Sequence, residues 1–145
     1  HIYGDGPLRT QLEALSQELN TAKIIHFEGH CDDISRRLEK LDILMMTSDH
    51  EGLPMILLEA MALKVPVIAH ATGGIPALLD NGTCGVLVKK HCPEGYAEEI
   101  LRLSRSGAER SQLAEKGLER VKSHYSAEAN ARNYIEQYSE IRKTA

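Results

Sequence analysis

The sequence predicts an α/β fold of three layers, in which helices cover both faces of a parallel sheet. Three observations predict it: short apolar runs alternate with segments of helical spacing, joints containing glycine or proline separate them, and the composition suits a globular chain. The 145 residues are 42% hydrophobic and 26% charged, so we expect residues 1–145 to form a single domain with its own core.

The strands are expected at 1–4, 23–29, 42–48, 66–70 and 85–89, with helices between them at 7–20, 32–41, 54–64 and 74–80. The run at 42–48 is almost continuously apolar, which is typical of a strand buried on both faces. Further helices are expected at 93–106, 106–125 and 126–143, as a buttress on the same domain. Ser106 and Glu109 form a capping box where the second of these helices begins.

Composition excludes several classes of function. The net charge is −4 without any block of like charges, and there is no Trp, so a nucleic-acid footprint is not expected. Cys31, Cys84 and Cys92 are odd in number and contain no C-x-x-C, which indicates inert thiols in a reducing, cytoplasmic setting. No apolar run approaches the ~20 residues that a transmembrane helix needs.

Two glutamates, Glu51 and Glu59, lie in the most apolar stretch of the chain, residues 48–74. A charge on a mostly buried helix is costly unless something pairs with it. Glu59 could pair with Lys64, although a spacing of five makes that pair poor. Glu51 could simply be an acidic residue favoured near a helix N-terminus. Local chemistry alone leaves these interpretations open.

The position of the two glutamates favours a ligand site. Ligands of open α/β sheets bind outside the carboxyl ends of the strands, where residues 48–54 are expected. A helix beginning at Pro54 would direct free N–H groups towards an anion such as a phosphate, and Gly52 would allow close approach. Glycine turns recur at the same edge, at Gly4, Gly6, Gly29, Gly73, Gly74, Gly82 and Gly85. An elongated ligand that carries phosphates and hydroxyls would suit this edge.

The motifs resemble those of the retaining glycosyltransferases called group 1 or family 4. "EGLPMILLEAMALKVPVI" is similar to their E-x7-E signature, and "GDGP", "FEG", "GGIP" and "NGTCGVLV" fall in the order that those enzymes show. The resemblance covers His1 to about Val88. It implies the C-terminal, Rossmann-like half of a GT-B fold, which binds a UDP-, GDP- or similar sugar donor and transfers the sugar with retention of configuration.

The resemblance also implies roles for individual residues. Glu51 is the expected catalytic residue and would bond the donor sugar, Glu59 would bond the ribose, and Gly52 and Leu53 would offer backbone N–H groups to sugar and diphosphate. The stretch around Gly29 and His30 would contact the base. The other expected donor-binding residues are Pro54, Gly4, Gly6, Gly73 and Gly74. Neither a cofactor nor a metal ion is expected.

Three departures from the family pattern lead to further expectations. The Arg and Lys that hold the diphosphate would precede His1, as would the domain that binds the acceptor, a sugar or a lipid-linked glycan. Ala77 stands where a Glu is usual after G-G-x-P. We therefore expect a chain truncated at its N-terminus, which binds donor weakly and transfers nothing alone. In the full-length protein, attachment to the inner membrane surface is the alternative to a free cytoplasmic location.

Other interpretations remain open. Asp49-His50-Glu51 resembles a D-x-D metal and diphosphate site, which Mn²⁺-dependent binding would support. A GT-B sugar-nucleotide epimerase, a phosphorylase, or a non-catalytic α/β module that binds a nucleotide or a protein are the alternative functions. His26, His70 and His124 are interpreted as structural residues, whereas His50 could approach the sugar.

Overall fold

A computed structural model describes residues 1–144, with side chains described through Arg142. The chain divides into two compact units, residues 1–34 and a larger unit that begins at Ser35. All paired strands run parallel in both units, and helices flank them. The predicted α/β fold is therefore confirmed.

The first unit contains two strands and one long helix. Strand β1 spans Ile2–Tyr3 and strand β2 spans Phe27–Gly29, and Ile2 pairs with Phe27 in parallel register. Helix α1 spans Arg9–Glu18, so it begins two residues later than predicted, with Leu8 at its N-cap.

The second unit contains a three-stranded parallel sheet in the order β3–β4–β5. Its elements follow one another along the chain as α2 (Ile34–Leu38), β3 (Leu44–Met46), α3 (Met55–Ala62), β4 (Val67–His70), α4 (Ile75–Leu78), β5 (Val86–Val88), α5 (Pro93–Ser104), α6 (Gly107–Arg120) and α7 (Ala127–Thr144). A short 3₁₀ turn precedes β5, and one π-helical turn separates α6 from α7. Because the strands are parallel, the loops that leave β3, β4 and β5 meet at one edge of the sheet.

Strand β4 is buried on both faces, whereas β3 is not. The prediction that residues 42–48 form a strand buried on both faces was therefore wrong. Val67, Ile68 and Ala69 of β4 are fully buried, whereas Met45 of β3 is 45% exposed. The Met45 side chain of β3 lines an open pocket beside α5, so one face of this strand is not covered. An apolar run reports hydrophobicity, but it does not report which faces of a strand other elements cover.

Helices pack on β4 from both sides. Ile68 joins a cluster with Tyr96 and Leu103 of α5, while α3 also contacts β4. Alternation of side chains along a strand directs Val67 away from the face that Ile68 uses. Gly117 of α6 packs beside Met61 of α3, where a β-carbon would lie 3.4 Å from the Met61 Cγ, at ordinary contact distance.

Helix boundaries follow their capping residues. The Ser106 hydroxyl accepts a hydrogen bond from the Glu109 backbone N–H at 3.2 Å, which is one half of the predicted capping box. The other half does not form, because the Ser106 N–H donates to the Leu103 carbonyl oxygen and the Glu109 carboxylate pairs with Arg102. Pro54 occupies the N-cap of α3 in an extended conformation, so this helix begins at Met55 and not at Pro54. Within residues 1–144, no helix has both the length and the apolarity that crossing a bilayer requires.

Candidate functional site

The loop that leaves β3 is held by the residues that follow β4. The backbone N–H of Gly74 donates to the carbonyl oxygens of Glu51 and Gly52, at 3.3 and 3.1 Å. The Thr72 hydroxyl donates to the Asp49 carbonyl oxygen at 2.8 Å. These hydrogen bonds fix the backbone on both sides of the Glu51 side chain, so the loop is ordered before any ligand arrives.

Gly73 and Gly74 are required by the close approach of these two loops. A β-carbon at Gly73 would lie 1.7 Å from the Glu51 carbonyl oxygen, and one at Gly74 would lie 2.1 Å from the Gly52 carbonyl oxygen. Gly73 also has φ +52°, a left-handed conformation that side chains disfavour. The "GG" of the sequence therefore has a packing role in addition to any contact with a ligand.

A pocket of about 360 Å³ opens between the two loops. Its lining residues are His50, Glu51, Gly52, Thr72 and Gly73. Glu51 is half-buried, and among the described residues its carboxylate has neither an ion pair nor a hydrogen bond. A carboxylate in this position can accept hydrogen bonds from a hydroxyl-rich ligand.

Glu59 lies in the fifth position of α3, among buried neighbours. Leu58 and Ala60 are buried, whereas Glu59 itself is half-buried and has no partner among the described side chains. The Lys64 ammonium instead contacts the Glu115 carboxylate at 2.6 Å, so the alternative Glu59–Lys64 pair does not form. A second carboxylate is thus left available on the helix that begins beside the pocket.

No side chain caps the N-terminus of α3. The first turn of this helix follows closely on Gly52, which lines the pocket, and on Leu53, which is exposed. Free N–H groups and the positive end of the helix dipole favour an anion there. Pro54, as the N-cap, donates no hydrogen bond of its own.

The expected site residues of the first unit are brought together by a network that the sequence did not predict. The Gly4 N–H donates to the Gly29 carbonyl oxygen at 2.7 Å, and the His30 N–H donates to Asp5 Oδ2 at 3.2 Å. Asp5 also pairs with Arg9, 2.6 Å from Oδ1 to Nη1. The Gly6 carbonyl oxygen accepts from the Arg9 N–H. The Gly29 carbonyl and the His30 amide are therefore already engaged.

We expect the stability of this unit to fall in acid through Asp5. The hydrogen bond from Arg9, and then that from His30, hold the pKa of the Asp5 carboxyl below its ordinary value of 3.8. A carboxyl with a lowered folded-state pKa contributes stability above pH ~3.8 and loses it as the pH falls through the folded-state pKa. Asp5→Asn should remove this pH dependence, as measured by denaturation at pH 3 to 6. Asp32→Asn is the control, since the highly exposed Asp32 carboxylate pairs with the exposed His30 ring. An equal loss in both variants would contradict the assignment.

Asp49 contacts His91, and the ring of His91 lies beside the ring of His70. Asp49 Oδ1 lies 3.2 Å from Nε2 of His91, and the rings of His70 and His91 are 4.1 Å apart between centroids. His70 was interpreted as structural, and its Nδ1 does bond the Ser48 carbonyl oxygen at 3.1 Å. The sequence analysis missed His91, although its place just after β5 puts it at the same sheet edge.

Ala77, where the family has a glutamate, has an exposed side chain, and its carbonyl oxygen accepts from Arg120 Nη2 at 3.0 Å. Arg120 also lies over the ring of Tyr125. Among the described residues, Arg120 Nε is the buried side-chain polar atom that lacks a hydrogen-bond partner. The structure thus gives the backbone of residue 77 a role in docking the C-terminal end of α6.

The fold and the site define a class: an α/β protein with parallel strands whose glycine-rich pocket opens at their carboxyl edge. The family model described as "Glycosyl transferases group 1" matches residues 1–120. The chain belongs to this family, as its motifs predicted.

Known proteins similar to this chain are glycosyltransferases or share their fold. A lipopolysaccharide core biosynthesis glycosyltransferase of Rhizobium meliloti is 30% identical over 135 residues, which are 93% of this chain and 40% of that protein. Sucrose-phosphate synthase from Thermosynechococcus elongatus superposes with a TM-score of 0.81 at 27% identity, over 98% of this chain and 38% of that one.

HepE of Anabaena, solved in complex with UDP, shares the fold with a TM-score of 0.85 at 20% identity, over 95% of this chain and 40% of that one. The chain therefore spans about two fifths of the length of these three proteins.

Proposed function

We propose that this chain is the donor-binding half of a glycosyltransferase that transfers a sugar from a nucleotide-sugar with retention of configuration. The observation that carries the proposal is a pair of carboxylates without a partner in the described part of the chain, Glu51 in the pocket and Glu59 on the helix beside it. Both are half-buried, and a carboxylate withdrawn from water without a partner is costly unless a ligand compensates it. Membership of the group 1 family supports the assignment.

In the proposed complex, Glu51 accepts hydrogen bonds from the donor sugar and Glu59 from the ribose. The diphosphate lies at the uncapped start of α3, where the N–H groups of Gly52 and Leu53 face it. For the base, the proposed contacts are backbone groups of the stretch around Gly29 and His30. The His30 N–H already donates to Asp5, whereas the Gly29 carbonyl, which accepts from Gly4, keeps a second lone pair for a donor on the base.

A uridine nucleotide is the first candidate for the donor. HepE was solved with UDP, and its fold matches this chain over 95% of its length. The acceptor is a sugar or a lipid-linked glycan of a polysaccharide, as the lipopolysaccharide enzyme of Rhizobium meliloti suggests. No metal or cofactor takes part in the proposed chemistry. The proposed location of the full-length protein is the cytoplasm or the inner membrane surface facing it.

The same proposal holds that the chain alone binds donor weakly and transfers no sugar. It spans about two fifths of the length of its relatives, and the acceptor is proposed to bind outside it. Turnover of any sugar nucleotide by this chain alone would contradict that part of the proposal, although it would leave the donor site in place.

The test of the function is a thermal-shift and calorimetric titration with UDP, GDP and their glucose or mannose conjugates. A ligand that binds the folded state stabilises it by RT ln(1 + [L]/Kd), so even millimolar affinity is detected at high ligand concentration. We expect one nucleotide series to raise the melting temperature, and Glu59→Ala to abolish the shift. Glu115→Ala is the matched control, because Glu115 is an exposed glutamate that pairs with Lys64. A shift that persists in Glu59→Ala would refute the proposed ribose contact.

A non-catalytic α/β module is the second candidate, and Ala77 favours it. Ala77 replaces a residue that the family usually keeps, and its exposed side chain offers no substitute carboxylate. Under this alternative the nucleotide binds, but the full-length protein that contains this chain hydrolyses or transfers no sugar. Radiolabelled donor and a glycan acceptor mixture, given to the full-length protein, distinguish the two.

A further inference from the structure

A cluster of three potential metal ligands lies at the carboxyl edge of the second unit's sheet. Asp49 follows β3, His70 ends β4 and His91 follows β5. One ligand atom from each lies within 4.8 Å of the other two, and Asp49 Oδ1 is 3.2 Å from His91 Nε2. We call these three residues the histidine–aspartate cluster. The three residues lie at or just beyond the ends of three different strands, so the fold and not a local turn brings them together.

The hydrogen bonds around the cluster leave one nitrogen of each imidazole available. His70 Nδ1 lies 3.1 Å from the Ser48 carbonyl oxygen, an acceptor, so Nδ1 carries the proton and Nε2 presents a lone pair. His91 Nδ1 lies 2.8 Å from the Tyr96 hydroxyl, which can donate or accept. His91 can therefore move its proton to Nδ1 when Nε2 binds a cation. Metal-ligating histidines are typically oriented by such contacts through their second nitrogen.

We propose that the histidine–aspartate cluster binds a zinc-class divalent ion through two imidazole nitrogens and one carboxylate oxygen. In a tetrahedral zinc site, with bonds of about 2.0–2.1 Å, neighbouring ligand atoms are roughly 3.3 Å apart. The 3.2 Å between Asp49 Oδ1 and His91 Nε2 matches that separation. The Asp49 side chain is 73% exposed, which allows it to adjust, and water would complete the coordination.

The nature of the ligands decides which ion is expected. Imidazole suits Zn²⁺, Co²⁺, Ni²⁺ or Cu²⁺, whereas Mg²⁺ and Mn²⁺ prefer sites of oxygen atoms. This site differs from the D-x-D interpretation of residues 49–51, because it uses Asp49 without Glu51. Its ligands come from the end of β4 and from the loops after β3 and β5, and its preferred ion is not Mn²⁺.

A bound ion would join the three loops that leave the sheet at this edge. One of them carries Glu51, two residues after Asp49. The ion would thus stabilise the folded state of the second unit by mass action. The proposal stands on the geometry of the cluster and does not depend on the binding of a sugar nucleotide.

The test is a titration of the chelator-treated chain with ZnCl₂ by calorimetry and with CoCl₂ by visible spectroscopy. We expect saturable binding of one ion, an increase in melting temperature, and the d–d absorption of Co²⁺ in a site of low coordination number. Asp49→Asn and His91→Gln should each weaken binding by at least about tenfold. Tyr96→Phe, which removes only the hydroxyl that orients His91, should weaken it by about tenfold.

Two control variants separate this site from other ways of holding the ion. His124→Gln removes an exposed histidine outside the cluster and should bind zinc as the unmodified chain does. Cys92→Ser removes the thiol next to His91 and should also bind normally. The proposal fails if no saturable binding occurs, if His91→Gln binds zinc unchanged, or if Cys92→Ser is the variant that loses binding. Because His91 is exposed, its variant should fold normally, which circular dichroism checks.

Discussion

The Gly73→Ala variant is expected to be less stable than the unmodified chain by about 3 kcal/mol or more. Two costs combine: an alanine held at a left-handed φ, and a β-carbon forced into the Glu51 carbonyl oxygen, each worth about 1–3 kcal/mol. The oxygen would be 1.7 Å away, so the loop after β3 must move. That movement breaks the hydrogen bonds from Gly74 and displaces Glu51, so donor binding should be lost as well.

Urea denaturation measures this effect, and two other glycines provide matched controls. Gly82 has φ +98° with open space where a β-carbon would lie. Gly82→Ala should therefore lower the stability through its backbone conformation alone, without a steric clash. Gly52 also has open space and does not have a positive φ, so Gly52→Ala should be close to neutral. If Gly73→Ala lowers the free energy of unfolding by no more than Gly82→Ala does, the loops after β3 and β4 do not approach each other closely in solution.

Glu51→Ala and Glu59→Ala are expected to weaken the binding of different ligands. If Glu59 bonds the ribose, Glu59→Ala should weaken the binding of both the free nucleotide and the nucleotide-sugar. If Glu51 bonds the sugar, Glu51→Ala should weaken the binding of the nucleotide-sugar alone. Hydrogen bonds to a charged group contribute about 1.5–3 kcal/mol, which corresponds to roughly 10- to 150-fold in Kd.

Calorimetric titration of both variants with UDP and UDP-glucose, or with the nucleotide series that binds, decides the assignment. Stability should not fall in either variant, since neither carboxylate has a partner among the described residues. If both substitutions lower the affinity for UDP equally, the two carboxylates contact the same part of the ligand. The assignment of separate roles would then be wrong.

Local chemistry explains which elements could be predicted from the sequence. The cap of α6 depends on Ser106 and Glu109, three residues apart, and α3 is a run of strong helix formers that follows a proline. The pocket loops were also predictable, because glycines after strands mark the carboxyl edge of a parallel sheet. Sequence and structure agree wherever neighbours along the chain decide the outcome.

Features that depend on distant residues were missed. The burial of β4 and the exposure of Met45 depend on which faces of the strands other elements cover, which an apolar run does not encode. The contact between His91 and Asp49 joins residues 42 positions apart, and the Asp5–His30 hydrogen bond joins residues 25 apart. The packing of Gly73 against Glu51 is of the same kind, although the motif itself marked both residues.

The attachment of the Glu51 loop to residues 70–74 limits how this chain can be engineered. His70, Thr72 and Gly74 bond the carbonyl oxygens of Ser48, Asp49, Glu51 and Gly52. A chimaera that imports residues 48–54 from a relative, to change the ligand of the pocket, would bring a backbone turn that does not match residues 70–74 of this chain. Segments 48–54 and 70–74 should therefore be exchanged together. Exchanging either one alone should yield a protein with a distorted pocket.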